Sequence, residues 1–462
     1  MRIISKIVLV VTSLIVVIAF SFSLIRFQSD RPLQAVTANN NFSQHAISVY
    51  DPSYLKLYHQ YGLDLPSFYF SISNLALPYS YKYLPACDEK DFLIYWSCKT
   101  GSPETIYKVY QSLIQFHNEE WRIPPSQVLN LQRLSNGLIS TNNIDSLNNY
   151  YRQYAENLPR ESLTFKAIAS VNTITSIGVW KQWVPVFHVH TTNQFGLWFS
   201  DWWNGGNGIY NRSWISKNKV GSVIEKPLII TLFITMITIV VIIFYSIFIS
   251  AELFLNKENR SVNFILNAFH FFYSLPSFFI GALLIFIFSN PYQLQLFPSN
   301  FSFAPIAEEN SITILALLKS WKYFMLPVVT LSFGAIVFFT LMLYRSFEEE
   351  YAKNYVLSAK MMGVNNRTIV YKYVLKNALY SSSTFLFLLF PALLSGSIIV
   401  EQLFSIAGIG NLLITAARSQ DVPVLLHLFG LIGLVTALCF VALDYFQQKI
   451  NGKLLSNKED KE

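Results

Sequence analysis

Six stretches of this sequence run for about 20 residues without Asp, Glu, Lys or Arg: Ile7 to Ile25, Pro227 to Ile249, Val262 to Ser289, Tyr323 to Tyr344, Asn377 to Val400 and Val422 to Leu443. A helix rising ~1.5 Å per residue needs ~20 such residues to cross ~30 Å of hydrocarbon. Only 13% of the 462 residues are charged, against about 25% in soluble domains. Apolar residues make up 52% and aromatics 16%. The chain reads as an all-α polytopic membrane protein with six transmembrane helices. The net charge of +7 is scattered rather than striped and accompanies no nucleic-acid motif, so nucleic acid is not an expected partner. The first stretch follows Arg2 and Lys6; it is longer than a signal peptide's apolar core and lacks a small-x-small cleavage site, so it is expected to stay as a span. Pro276 and Gly281 in the third window, and Pro391 and Gly396 in the fifth, predict kinked helices that face the bundle.

Lys and Arg accumulate in cytoplasmic loops. The stretch between the fourth and fifth windows holds Arg345, Lys353, Lys360, Arg367, Lys372 and Lys376, and the tail holds Lys449, Lys453, Lys458 and Lys461. Both belong inside. Six spans then put both termini in the cytoplasm and a long segment outside. The expected organisation is a first helix over 1–26, an extracytoplasmic domain over 27–226, a five-helix core over 227–446 and a cytoplasmic tail over 447–462.

The outer segment is rich in Asn, Ser, Tyr and Gln, and reads as a mainly helical insertion between the first two spans. Helices are expected over Pro103 to Glu119 with Ser102 as cap, Pro125 to Leu134, Ile144 to Glu156 and Glu161 to Ile177; Ile106, Val109, Tyr110 and Ile114 supply an apolar stripe. Ala35 to Ser43 and Asn204 to Asn211 read as turn or loop. Trp198, Trp202, Trp203 and Trp214 are either an interfacial aromatic belt or core residues. Cys87 and Cys98 share this segment at short separation, which predicts a disulfide between them. His188 and His190 share one face of a possible strand, but no third ligand stands nearby, so no metal site is expected. Cys439, in the sixth window, reads as packing.

The most informative stretch is 345–379, too polar to span. Ser346 with Glu349 fits a capping box, Tyr351, Tyr355, Ala359 and Met362 form one stripe, Gly363 can end a helix in the left-handed conformation, and Asn365 or Asn366 can cap the next. A short helix, a sharp turn and a second helix follow. On spacing alone this is either a docking element or an amphipathic pair lying on the membrane.

Tyr355-Val-Leu-Ser-Ala-Lys-Met-Met-Gly363, continued by Lys372-Tyr-Val-Leu-Lys-Asn-Ala-Leu379, resembles the cytoplasmic EAA-type loop of binding-protein-dependent ABC importer permeases, in the form found in oligopeptide, dipeptide and nickel permeases. In the same order, Ser274-Leu-Pro-Ser-Phe-Phe-Ile-Gly281, Met325-Leu-Pro327, Gly396-Ser-Ile-Ile-Val-Glu401 with Phe404-Ser-Ile-Ala-Gly408-Ile-Gly410, and Asp421-Val-Pro423 are similar to further segments of that family. The resemblance covers the first span and 221–455; about 31–220 has no match. The signature's acidic residue is replaced by Leu357 and its first alanine by Ser358, and Tyr373 stands where His is common. These departures bear on which ATPase fits.

The resemblance implies a permease subunit of an ATP-driven importer, with the fold of a type I importer permease, in the bacterial cytoplasmic membrane. Tyr355, Ala359, Lys360, Met362 and Gly363 would couple it to ATPases. Implied partners are a second permease, two ATP-binding subunits, an extracytoplasmic substrate-binding protein and the lipid bilayer. The chain has no GxxxxGK[ST] run, so ATP and Mg²⁺ are expected in the partners, no cofactor in this chain, and no catalytic residue of its own. Polar residues within spans suggest a translocation path at Ser274, Pro276, Ser277, Ser395, Gly396, Ser397 and Glu401, or else helix–helix hydrogen bonding. Peptides are the expected solute. The alternatives are an importer for nickel or another small solute, a receptor or sensor with a large ectodomain, or a passive channel.

Overall fold

The computed structural model describes residues 12, 15–23, 52–85, 87–120, 123–158, 174, 178–204, 208–301 and 314–459. It divides into two compact units, Phe22–Lys217, and Met1–Ser21 with Asn218–Glu462.

The Phe22–Lys217 unit contains α1 (Pro52–Gln60), β1 (Phe70–Asn74), α2 (Asp88–Thr100), α3 (Pro103–Glu119), α4 (Pro125–Ser140), α5 (Ile144–Asn157), β2 (Pro185–Val189) and α6 (Gln194–Asn204). In α3 the stripe Ile106, Val109 and Tyr110 is buried as expected, and Leu113 and Phe116 complete it. Around it pack Trp96 and Leu93 of α2, Leu131 and Leu138 of α4, and Leu147 and Tyr154 of α5. Helices α4 and α5 match expectation, with α4 running on to Ser140. Ser102 does not cap α3 through its side chain; its own N–H is instead taken by Thr100 Oγ1 at 3.3 Å. Trp198 and Trp214 are core residues here. The expected helix over Glu161 to Ile177 and the Ala35 to Ser43 loop lie outside the described residues, apart from Ile174, and Asn204 closes α6 rather than opening a loop.

The predicted Cys87–Cys98 disulfide is overturned. Both thiols are free, and for a simple reason: Cys87 caps the N-terminus of α2 while Cys98 sits near its other end. Eleven residues of helical rise separate them by about 16 Å, beyond the ~7 Å a bridge tolerates between Cα atoms. Burial, with the nearby Glu89 carboxylate, pushes the Cys87 thiol up to about 12.

In the other unit, residues 15–23 are helical, and the rest of the first window lies largely outside the described residues. Then come α7 (Val220–Leu255), α8 (Arg260–Tyr273), α9 (Ser277–Phe288), α10 (Ile314–Lys319), α11 (Trp321–Tyr351), α12 (Asn354–Met361), a helical turn (Asn366–Thr368), a π-helix (Ile369–Val374), α13 (Leu375–Ser381), α14 (Ser383–Leu403), α15 (Ile409–Arg418) and α16 (Val422–Glu459). Among the described residues, four helices are long and apolar enough to cross a membrane: α7, α11, α14 and the Val422–Leu443 part of α16. The third window is not one continuous helix. It is the pair α8 and α9, bent by 98° at Ser274–Pro276, which makes a fifth candidate if counted as one broken span. Pro276 is the physical cause, because its ring disfavours helical backbone at Leu275 and it has no N–H to continue the ladder. Ile230 and Ile234 of α7, Phe324, Phe339 and Leu343 of α11, and Leu389 and Val400 of α14 form the unit's main core.

Candidate functional site: an exposed hook and a buried glutamate

The 345–379 stretch is built differently from its sequence reading at one end and as expected at the other. No capping box forms at Ser346, because α11 continues unbroken to Tyr351 and carries Ser346 into the interior, its Oγ 3.3 Å from Ser382 Oγ. Backbone hydrogen bonding continues past the last apolar residue wherever nothing stops it. The chain then turns at Ala352 and Lys353 into α12. Glu350, itself buried, fixes this corner: its carboxylate pairs with Lys353 Nζ and accepts the Tyr355 hydroxyl at 2.9 Å. Burial first, then the Glu350 contact, raises the Tyr355 pKa, so the phenol keeps its proton and donates.

Helix α12 is two turns long and has an inner and an outer side. Val356 and Ala359, three residues apart, turn inward onto Ala251 and Phe254 of α7, Phe347 of α11, and Ile369 and Val370 of the π-helix. Ala359 is only 5% exposed, whereas Met361 and Met362 are 79% and 75% exposed, with Leu357 and Lys360 also outward. The predicted stripe is therefore corrected. Tyr351 belongs to the preceding helix, Ala359 packs within this chain, and Met362 lies on the outer side. Leu357, which the sequence reading noted as a departure from the signature, and Met361, which it did not single out, complete the outer surface. Lys360 Nζ lies 3.9 Å over the Tyr351 ring, which directs the charge back over the hook.

Gly363 ends the helix as expected, with φ +76° and open space where a Cβ would stand. Its N–H reaches Lys360 O at 3.0 Å and that of Val364 reaches Ala359 O at 3.1 Å. Asn365 caps the next turn by accepting from Arg367 N–H at 3.2 Å. Arg367 then pairs with Glu252 at the end of α7 at 3.0 Å, where Tyr371 also donates at 3.3 Å. The hook is thus fastened to α7 and α11 by apolar contacts inside and polar contacts at its rim.

The path residues separate into two groups. Ser274, Pro276 and Ser277 at the α8–α9 bend, and Ser395 on α14, are exposed; Gly396 lies between Ser395 and Ser397 on the same helix. Ser397 and Glu401 are not on any surface, Glu401 being 2% exposed. Thr231 of α7 donates to Glu401 at 2.8 Å, Ser397 at 3.0 Å, and the backbone N–H of Asn411, in the first turn of α15, at 3.0 Å. Thr231 in turn accepts from Ile409 N–H at 2.9 Å. A carboxyl group here satisfies the open N–H groups at a helix start and meets the positive end of its dipole. Gly408 and Gly410 make room for it: a Cβ on Gly408 would stand 2.5 Å from the Glu401 carboxyl carbon, and one on Gly410 2.6 Å from the Ile398 backbone. Glu401 joins α7, α14 and α15, and among the described residues no ion pair involves it. This is the helix–helix hydrogen bonding that the sequence left as the alternative to a place on the path.

In the other unit, His188 and His190 stack at 6.3 Å beneath the ring of Tyr79, and Ser71 Oγ lies 2.8 Å from His190 Nε2. Burial and the adjacent His188 lower the His190 pKa. Among the described residues no cluster of three or more His, Cys, Asp or Glu is arranged to hold a metal.

Residues 248–455, which include the hook and Glu401 with Ser397 and Asn411, match the family described as binding-protein-dependent transport system inner membrane component. The chain is 32% identical over 173 residues to a peptidoglycan transport system permease protein YejB of Agrobacterium fabrum, covering 36% of this chain and 46% of that protein. It is 31% identical over 177 residues to an inner membrane ABC transporter permease protein YejB of Escherichia coli O157:H7, covering 35% and 46%. A glutathione transport system permease protein GsiC of Escherichia coli K12 is 27% identical over 271 residues, 58% of this chain and 79% of that one. The matched region thus spans about half the length of the two YejB proteins. Residues 248–455, which carry the hook, the broken helix pair and Glu401, are thus similar to the inner membrane components of binding-protein-dependent transport systems.

Proposed function

We propose that this chain is the permease subunit of an ATP-driven importer for peptides or closely related solutes. It forms the translocation path with a second permease, receives solute from an extracytoplasmic binding protein, and couples to two ATP-binding subunits through α12. ATP and Mg²⁺ are held by those subunits. The observation that carries this reading is the two-sidedness of α12: an inner side fastened to α7 and α11, and an outer side of Leu357, Lys360, Met361 and Met362 that is left exposed among the described residues. Exposed methionines on a short rigid helix suit a cleft in a partner, since the thioether is polarisable and adapts to the surface it meets. Movement of the ATP-binding subunits is transmitted through the hook to the helices, which alternate between outward- and inward-open states.

Charge and length support the expected topology. Thr231, bonded to Glu401, and Glu252, bonded to Arg367, stand on the same helix, about 32 Å apart at ~1.5 Å per residue, which is one hydrocarbon thickness. The basic hook lies in the cytoplasm with both termini, the glutamate junction lies at the other surface, and 27–226 is extracytoplasmic. Ser274, Pro276, Ser277, Ser395 and Gly396 line the path. The names of the relatives, which concern peptidoglycan and glutathione transport, support a peptide-type solute.

The test is the double variant Leu357→Asp, Met361→Asp in the assembled complex. Both positions are exposed, so the permease should fold and insert normally. Peptide uptake into vesicles, normalised to permease content, should fall at least about tenfold, with loss of solute-stimulated ATP hydrolysis. Undiminished uptake would refute the assignment of α12 as the coupling element.

A further inference from the structure

The two-stranded sheet of the Phe22–Lys217 unit has unlike faces. Its antiparallel register sets Phe70 opposite Val189 and Ile72 opposite Phe187. Side chains alternate along a strand, so these four share one face. The other face carries Ser71 and His188, closed over by Tyr79. All four apolar side chains of the first face are exposed, Val189 by 86%, and the short helical turn Val179–Trp183 before β2 adds exposed Trp180 and Trp183 beside them. A contiguous apolar surface of this kind on a folded domain marks a place of contact.

Its charge says what the contact is. From Leu65 to Cys87 and from Gly178 to Ser200 there is no Asp or Glu, and the only fixed charges are Lys82 and Lys181. Lys82 Nζ is held at the rim of the sheet by the Ile72 carbonyl at 2.8 Å, and Lys181 Nζ by the Gly101 carbonyl at 3.2 Å. Indole rings and bulky apolar side chains on segments whose only fixed charges are two ammonium groups match the water–lipid boundary of an anionic bilayer. The chain supplies that bilayer itself, since only Asn218 and Lys219 stand between Lys217 and membrane helix α7. Tethering at that distance holds lipid at high local concentration, so a patch too small to bind vesicles from solution is sufficient.

We propose that the Phe70, Ile72, Phe187 and Val189 face, with Trp180 and Trp183, docks on the surface of the bilayer, and that Lys82 and Lys181 meet anionic phospholipid headgroups there. The assignment does not depend on the transport reading. The full-length chain, with its three cysteines replaced by alanine and Val189→Cys carrying an environment-sensitive fluorophore, is reconstituted in nanodiscs of phosphatidylglycerol and phosphatidylcholine containing lipid spin-labelled near the headgroup. Gln127→Cys, exposed at the start of α4, is the reference. The label at 189 should emit at shorter wavelength and lose most of its intensity to the spin-labelled lipid, whereas the label at 127 should lose none. Adding Trp183→Ser and Phe187→Ser should abolish the loss at 189, and phosphatidylcholine alone should weaken it. A label at 189 that is hydrated and unquenched overturns the proposal. So does one that is shifted but unquenched, which means that protein covers the face, and so does quenching indifferent to headgroup charge.

Discussion

Glu401 and Glu350 are both buried, at opposite ends of the membrane helices, and their surroundings differ in kind. Glu401 is met by hydroxyls and a backbone N–H from three separate helices, with two glycines clearing space around it. Glu350 is met by Lys353 and Tyr355, its own neighbours in sequence. The first arrangement ties together elements distant in the chain. The second folds a local corner and leaves the outer side of α12 uncovered. One end is constructed to hold its helices in fixed register, and the other to present a surface.

That contrast is open to breaking, and the largest effect is expected at the fixed end. Glu401→Ala leaves the Thr231 hydroxyl and the Asn411 N–H without their acceptor; at roughly 1–3 kcal/mol for each buried group so orphaned, about 3 kcal/mol of stability should go. Thermal unfolding in detergent would show it, and an unchanged midpoint would mean that the junction is not structural. At the other end, Ala359→Leu forces a larger side chain against Phe254 and Phe347 and should destabilise by about 2 kcal/mol, where a docking-face residue would tolerate it. A complex that assembles at normal Tm but fails only in transport would move Ala359 to the outer side. Gly363→Val should cost about 1 kcal/mol through its left-handed backbone, with a greater loss in uptake than in stability because α12 is mis-aimed. Equal uptake by wild type and variant would show that the turn carries no alignment. The smallest effect belongs to Arg367→Gln, which removes a surface pair with Glu252 worth at most ~1 kcal/mol. A salt titration should erase even that difference in Tm.

The sequence made some of this legible and hid the rest for identifiable reasons. Hydropathy located α7, α11, α14 and α16 but not their ends, since it registers apolar side chains while the helices continue through polar ones, as α11 does from Tyr344 to Tyr351. Gly363 and Asn365 were readable because a left-handed turn and a cap are local matters. The two sides of α12 were not, because two turns contain too few residues to define a stripe, and the residues clustered with Val356 and Ala359 come from other segments, among them α7, α11 and the π-helix. Ser397, Glu401, Gly408 and Gly410 could be seen as a motif, but not as a junction, which needs Thr231 from 170 residues away. Cys87 and Cys98 misled because proximity in sequence becomes distance once the segment is helical.

Helix α11 has a mechanical consequence. Its only internal proline is Pro327, near its start, and from there to Tyr351 the ladder has no other residue that removes a backbone donor. That stretch is an arm about 36 Å long. A tilt of one degree at Pro327 therefore displaces Tyr351 by about 0.6 Å, and three degrees by nearly ~2 Å, enough to move a side chain out of one packing groove toward the next. Since Glu350 at the tip of the arm grips Tyr355 of α12, small angular changes within the membrane and ångström-scale shifts of the hook are the same motion, geared by the length of one helix.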